Sequence, residues 1–127
     1  MTYRKKILIV DDDLSFTYSL EKGLKSLNAA YDIIVANGGR ECLDRIKLNT
    51  PDLILLDIIM PKPNGWDVVE KLHRHKKLSN IPIIFLTGKD DVVTKTIAGM
   101  SIEDYIVKPV DINKLDVKIR RLLKLPM

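Results

Sequence analysis

ILIVDDD, residues 7–13, is a short apolar run that stops abruptly on three aspartates. The same construction recurs along the chain: Leu53–Leu56 stops on Asp57, and Ile83–Leu86 stops on Thr87. Runs this short and continuous belong to strands buried on both faces, as in a parallel sheet covered by helices. Tyr105–Val107 is a weaker run of the same kind and leads into Lys108-Pro109. Tyr31–Ala36 is more polar and fits an edge strand.

Between these runs the apolar spacing becomes helical. Phe16, Leu20, Leu24 and Leu27 form one stripe, and Cys42, Leu43 and Ile46 a second. Trp66, Val69 and Leu72 form a third, and Val93, Ile97 and Met100 a fourth. Ile112, Leu115, Ile119 and Leu122 form the last. Turn signals at Asn37-Gly38-Gly39, Asn64-Gly65 and Thr87-Gly88 separate the units. The order is (βα)5: an α/β protein with a doubly wound, five-stranded parallel sheet and right-handed crossovers. The flavodoxin-like strand order 2-1-3-4-5 is the common arrangement for such a chain. Its 127 residues read as one domain, 1–127, with no low-complexity stretch or linker.

Composition narrows the class. Apolar residues make up 46% and charged residues 30%, a globular balance. No apolar run approaches the roughly 20 residues needed to span a bilayer. The opening MTYRKKILIV runs straight into acids and has no cleavage site, so it does not read as a signal peptide. A single cysteine, Cys42, excludes an internal disulfide and reads as a buried, inert thiol. Together these features point to the cytoplasm. The net charge of +4 is dispersed. Arg4, Lys5 and Lys6 are expected before the first strand, His73 to Lys77 at a helix end, and Lys114, Lys118, Arg121 and Lys124 on one side of the last helix. Solvated faces account for this spread, and no helix-turn-helix is left over to bind nucleic acid directly.

Sites in open parallel sheets form outside the carboxyl ends of the strands. Asp11, Asp12, Asp13, Asp57, Thr87 and Lys108 all fall at those ends. With strands one and three adjacent, Asp11, Asp12 and Asp57 converge. Two unit charges about 5 Å apart repel by roughly 3 kcal/mol at an effective dielectric of about 20. Such a cluster needs a counter-charge, and hard carboxylate oxygens suit Mg²⁺. Asp13 is expected instead to cap the following helix. A carboxylate can attack a phosphoryl group, which makes Asp57 the candidate acceptor. Lys108 and the Thr87 hydroxyl are placed to meet phosphoryl oxygens, and Gly88 leaves room.

ILIVDDD, LILLDIIMPKPNGWDVV, IPIIFLTG and DYIVKP resemble the four sequence blocks of two-component response regulator receiver domains, of the chemotaxis-receiver kind. The likeness covers the whole chain; a stand-alone receiver is expected if the natural chain ends at Met127, and a receiver followed by an output domain if it does not. The likeness implies Asp57 as phosphoacceptor, Asp12 and Asp57 as direct Mg²⁺ ligands, Asp11 as a ligand through water, and the Ile59 carbonyl as a further ligand. It implies Thr87 and Tyr105 as the switch pair, Lys108 as the phosphate-sensing lysine, and a cis Lys108-Pro109 bond. Such a protein is not a conventional enzyme: it catalyses its own Mg²⁺-dependent phosphorylation and dephosphorylation at Asp57. The donor is a sensor histidine kinase or a phosphotransfer protein. The face built from the fourth helix, fifth strand and fifth helix then binds an output partner or a second copy. Val110 and Ser101-Ile102 depart from the family pattern, and the stretch from Thr87 to Tyr105 is one residue short. Ile59 and Lys89 fall at positions that tune dephosphorylation, and an apolar Ile59 side chain implies a slow loss of phosphate.

Two other classes fit parts of the chain. A haloacid-dehalogenase-like phosphatase would use Asp11 as nucleophile and Asp13 as acid/base, but leaves Asp57 without a role. A receiver-fold interaction module would dispense with phosphorylation, yet the full acid and lysine set is present.

Overall fold

The structure, a computed structural model, describes residues 4–88 and 104–127. The expected fourth helix, with Val93, Ile97 and Met100, lies outside the described residues, as do Lys89 and Ser101-Ile102. The described elements run β1 (Lys5–Val10), α1 (Leu14–Leu27), β2 (Tyr31–Ala36), α2 (Gly39–Leu48), β3 (Leu53–Asp57) and α3 (Gly65–His73). A 3₁₀ turn (Leu78–Asn80), β4 (Ile83–Thr87), β5 (Asp104–Val107) and α4 (Ile112–Leu123) follow. α4 is therefore the last helix of the sequence reading. The strands form one parallel sheet in the order β2-β1-β3-β4-β5, as expected. The more polar β2 does lie at an edge.

Alternation along the strands divides the core into two layers. Leu8, Val10, Ile54, Leu56, Ile83 and Phe85 face α2 and α3. Ile7, Ile9, Leu53, Leu55, Ile84, Leu86 and Ile106 face α1 and α4. Each such side chain contributes about 1.5–3 kcal/mol when fully buried, so the sheet is held from both sides. Trp66 packs on Phe85 with ring centroids 5.2 Å apart, which ties α3 to β4. Cys42 is fully buried, and burial pushes its thiol up to about 12, the inert state expected of it.

Two expectations change. Lys5 and Lys6 belong to β1 rather than preceding it, because a half-buried strand start tolerates polar side chains at the rim. Leu27, read as part of the α1 stripe, is 39% exposed because it occupies the last position of the helix, beyond the covered layer.

The helix starts matter because three of them border the site or the turns beside it. Asp13 is the N-cap of α1 and accepts from the Phe16 N–H at 3.1 Å, as expected. Asn64 and Asp67 form a reciprocal capping box at the start of α3. Asp111 caps α4 by accepting from Asn113 and Lys114. α3 begins hard against the end of β3. A Cβ on Gly65 would lie 2.6 Å from the Asp57 carbonyl oxygen, so only glycine allows that approach.

Candidate functional site

Asp11 follows β1, Asp57 ends β3 and Lys108 follows β5. Alternation from Ile9, Leu55 and Ile106 aims all three toward the α1 and α4 side. Asp12 is exposed beside them, whereas Asp11 and Asp57 are buried, at 1% and 5% exposure. Carboxylate oxygens of Asp11, Asp12 and Asp57 all lie within 4.8 Å of one another. This is the convergence expected from the strand order.

Among the described residues, a single ammonium answers these acids. Lys108 Nζ is 2.7 Å from Asp11 Oδ2 and 3.8 Å from Asp57 Oδ1. Burial opposes its charge, but the Asp11 hydrogen bond and the Asp57, Asp11 and Asp13 charges outweigh burial and raise its pKa. The other Asp11 oxygen accepts the Asp13 N–H at 2.9 Å. Both Asp11 oxygens are thus engaged, and Asp12 and Asp57 are the more open donors for a cation.

Asp57 is held in an unfavourable field. Burial and then the Asp11 charge push its carboxyl well above the usual carboxylate range, and Asp12 adds to this. Lys108 and the Ile59 backbone N–H pull the other way without cancelling it. A divalent cation fits this donor set: hard oxygens, close together, with more negative charge than Lys108 can balance.

Thr87 ends β4, one residue beyond Leu86, the register partner of Asp57. It is buried, and its hydroxyl donates to the Gly88 carbonyl at 2.8 Å. Alternation from Ile83 and Phe85 sets it on the α2 and α3 side. The Lys108 N–H donates to the Thr87 carbonyl at 2.8 Å, so the two strand ends are stitched together. Lys108-Pro109 is cis, as the resemblance implied, and Lys62-Pro63 is cis as well. Tyr105 pairs in register with Phe85 and is 39% exposed. The Ile59 side chain is exposed, while its neighbours Ile58 and Met60 are buried against α2 and α3.

Asp13 stands differently from the other acids. Its carboxylate caps α1, which does not favour the phosphatase reading that needs it as acid/base. One contact was not legible in the sequence. The Phe16 ring lies under Lys108, with Nζ 4.5 Å from its centroid. Phe16 reads there only as part of a core stripe. The usable signal was its place in the first turn after the acids, on the side facing the lysine.

Fold and site together define a receiver. The chain matches the response regulator receiver domain family over residues 7–120 and belongs to that family. It is 40% identical to "Probable transcriptional regulator ycf27" of Cyanophora paradoxa, over 95% of this chain and 49% of that protein. It is 34% identical to the alkaline phosphatase synthesis transcriptional regulatory protein PhoP of Bacillus subtilis, over 94% of this chain and 49% of that protein. A CheY-like response regulator receiver domain protein of Methanospirillum hungatei superposes with a TM-score of 0.81 at 31% identity, covering 94% of both chains. The chain spans about half the length of the curated relatives it matches. No helix among the described residues is long and apolar enough to cross a membrane.

Proposed function

We propose that Asp57 accepts a phosphoryl group from a histidine kinase or phosphotransfer protein and that the chain acts as a phosphorylation-dependent switch of a two-component system. The observation that carries this reading is the buried Asp57 carboxylate, gathered with Asp11 and Asp12 within 4.8 Å and with Lys108 Nζ 3.8 Å away. An Asp57 oxygen attacks phosphorus. The new P–O bond forms as the donor's bond to phosphorus breaks, and the leaving nitrogen or oxygen takes the electron pair. Lys108 sits close enough to transfer its hydrogen bond from Asp11 to a phosphoryl oxygen. The Thr87 hydroxyl turns from the Gly88 carbonyl to a second oxygen. Asp12, Asp57 and the Ile59 carbonyl, with Asp11 through water, would hold Mg²⁺, which supplies charge neutralisation at the transferred group.

The Thr87 movement frees space for Tyr105, which is exposed in this structure. Repacking around β5 and α4 then alters the face offered to an output partner. The exposed Ile59 side chain offers no polar group to orient an attacking water, so the aspartyl phosphate is long-lived. Ile59→Asn should shorten that lifetime; an unchanged or longer lifetime removes this part of the reading.

The direct test is treatment with acetyl phosphate and Mg²⁺, followed by peptide mapping in a mass spectrometer. The expected label lies on Asp57 and is absent from Asp57→Asn. Label on Asp11 instead would restore the phosphatase reading. No label, from acetyl phosphate or a phosphorylated histidine kinase, would leave an interaction module.

A further inference from the structure

Between α2 and α3, on the face of the sheet away from α1 and α4, lies a groove of about 370 Å³. Its floor is apolar: Leu43, Ile46, Leu72 and Leu78. Leu43, Ile46 and Leu72 are held in the core, whereas Leu78 is only partly buried and gives the floor accessible apolar surface. The rim is basic, with Arg40 and Lys47 on α2, Lys71 on α3, and His75 just beyond it. Among the described residues, no acid lines it.

The charge on these two helices is sorted by direction. Arg45 and Arg74 point elsewhere and are matched within their own helices, by Glu41 at 3.9 Å and Glu70 at 2.6 Å. Arg40, Lys47 and Lys71 line the groove, and none has an ion-pair partner among the described residues. Arg40 and Lys47 are seven positions apart on one helix, so they stand about 10 Å apart along the groove. A single anionic headgroup cannot meet cations at both ends of that span. Two turns of a helix can, with apolar anchors at i and i+4 on the floor and acids on its flanks. Aromatic stacking platforms, which single-stranded nucleic acid uses, are absent from the lining.

We propose that this groove docks an acidic amphipathic helix of a partner protein, its apolar side chains seated on the floor at Leu78 and its carboxylates against Arg40, Lys47 and Lys71. The site is separate from the acid corner and does not depend on phosphorylation for its chemistry.

The test uses the full chain labelled with ¹⁵N and a synthetic helical peptide carrying Leu at i and i+4 and Glu elsewhere. Titration should move amide signals around Leu43, Lys47, Leu72 and His75. A scrambled peptide without the apolar stripe should not move them. Lys47→Glu with Lys71→Glu should weaken binding by about 10-fold or more. Both residues are exposed, so the double variant should keep its fold by circular dichroism. A peptide with Lys in place of Glu should then bind the double variant in preference to the wild type. Shifts confined to the α1 and α4 side, no shifts, or undiminished binding by the double variant would overturn the proposal. So would occupancy of the groove by decanoate but not by the peptide, which would mark a small-amphiphile site instead.

Discussion

The two rims of the sheet handle charge in opposite ways. At the amino rim, the Tyr31 hydroxyl donates to Asp116 Oδ1 at 2.5 Å. Arg120 Nε donates to Asp116 Oδ2 at 2.8 Å, and its Nη1 reaches the Pro126 carbonyl at 2.7 Å. One acid meets one cation and one hydroxyl, and nothing is left over. At the carboxyl rim, Asp11, Asp12 and Asp57 have Lys108 as their one ammonium among the described residues, and there negative charge is in excess. The first cluster fastens α4 to the start of β2. The second works against the fold until a positive charge joins it. Functional sites commonly sacrifice stability in this way, and the contrast supports reading the amino rim as structural and the carboxyl rim as the proposed site of chemistry.

The sharpest way to break the contrast is to supply the missing charge. Mg²⁺ at about 100 times its dissociation constant should raise the unfolding free energy by about 2.7 kcal/mol, read from urea midpoints. Asp57→Asn should lose most of that response, yet be the more stable protein in metal-free buffer by about 1 kcal/mol, because it relieves repulsion. A wild type indifferent to Mg²⁺ would erase the distinction between the rims. Next in size, Asp116→Ala should destabilise by about 2 kcal/mol, since it strands the buried Tyr31 hydroxyl and removes the acid paired with Arg120 at the balanced rim.

The smallest effect is alkaline. Burial first, and then the hydrogen bond and charge of Asp116, raise the Tyr31 phenol from 10.0 to about 12. Stability from this group is therefore complete below pH 10 and lost as pH climbs toward 12. Tyr31→Phe should flatten that slope in denaturation midpoints measured across the same range. A slope unchanged in Tyr31→Phe would assign it to other groups.

The fold was legible because its strands are continuous apolar runs and its helices carry stripes of a different period. That contrast survives any detail of packing. The convergence of Asp11, Asp12 and Asp57 followed from strand order alone. The expected roles of Tyr105 and Ile59 came only through resemblance, since neither position is distinctive by itself. Phe16 was missed because a ring beneath a lysine uses the same spacing as a core side chain. The Tyr31–Asp116 bond joins residues 85 positions apart, and no local pattern announces it. The meeting of two turns was equally hidden: a Cβ on Gly39 would lie 2.1 Å from the Pro63 carbonyl, a fit set by two loops at once.

The alternation that splits the core also decides what a guest at the acid corner can touch. Asp57 and Lys108 continue the layer under α1 and α4, whereas Thr87 continues the layer under α2 and α3. A group held by all three straddles the sheet at its margin and grips both hydrophobic halves. One small chemical event can therefore be felt on either side of the molecule, without passing through the strands between them.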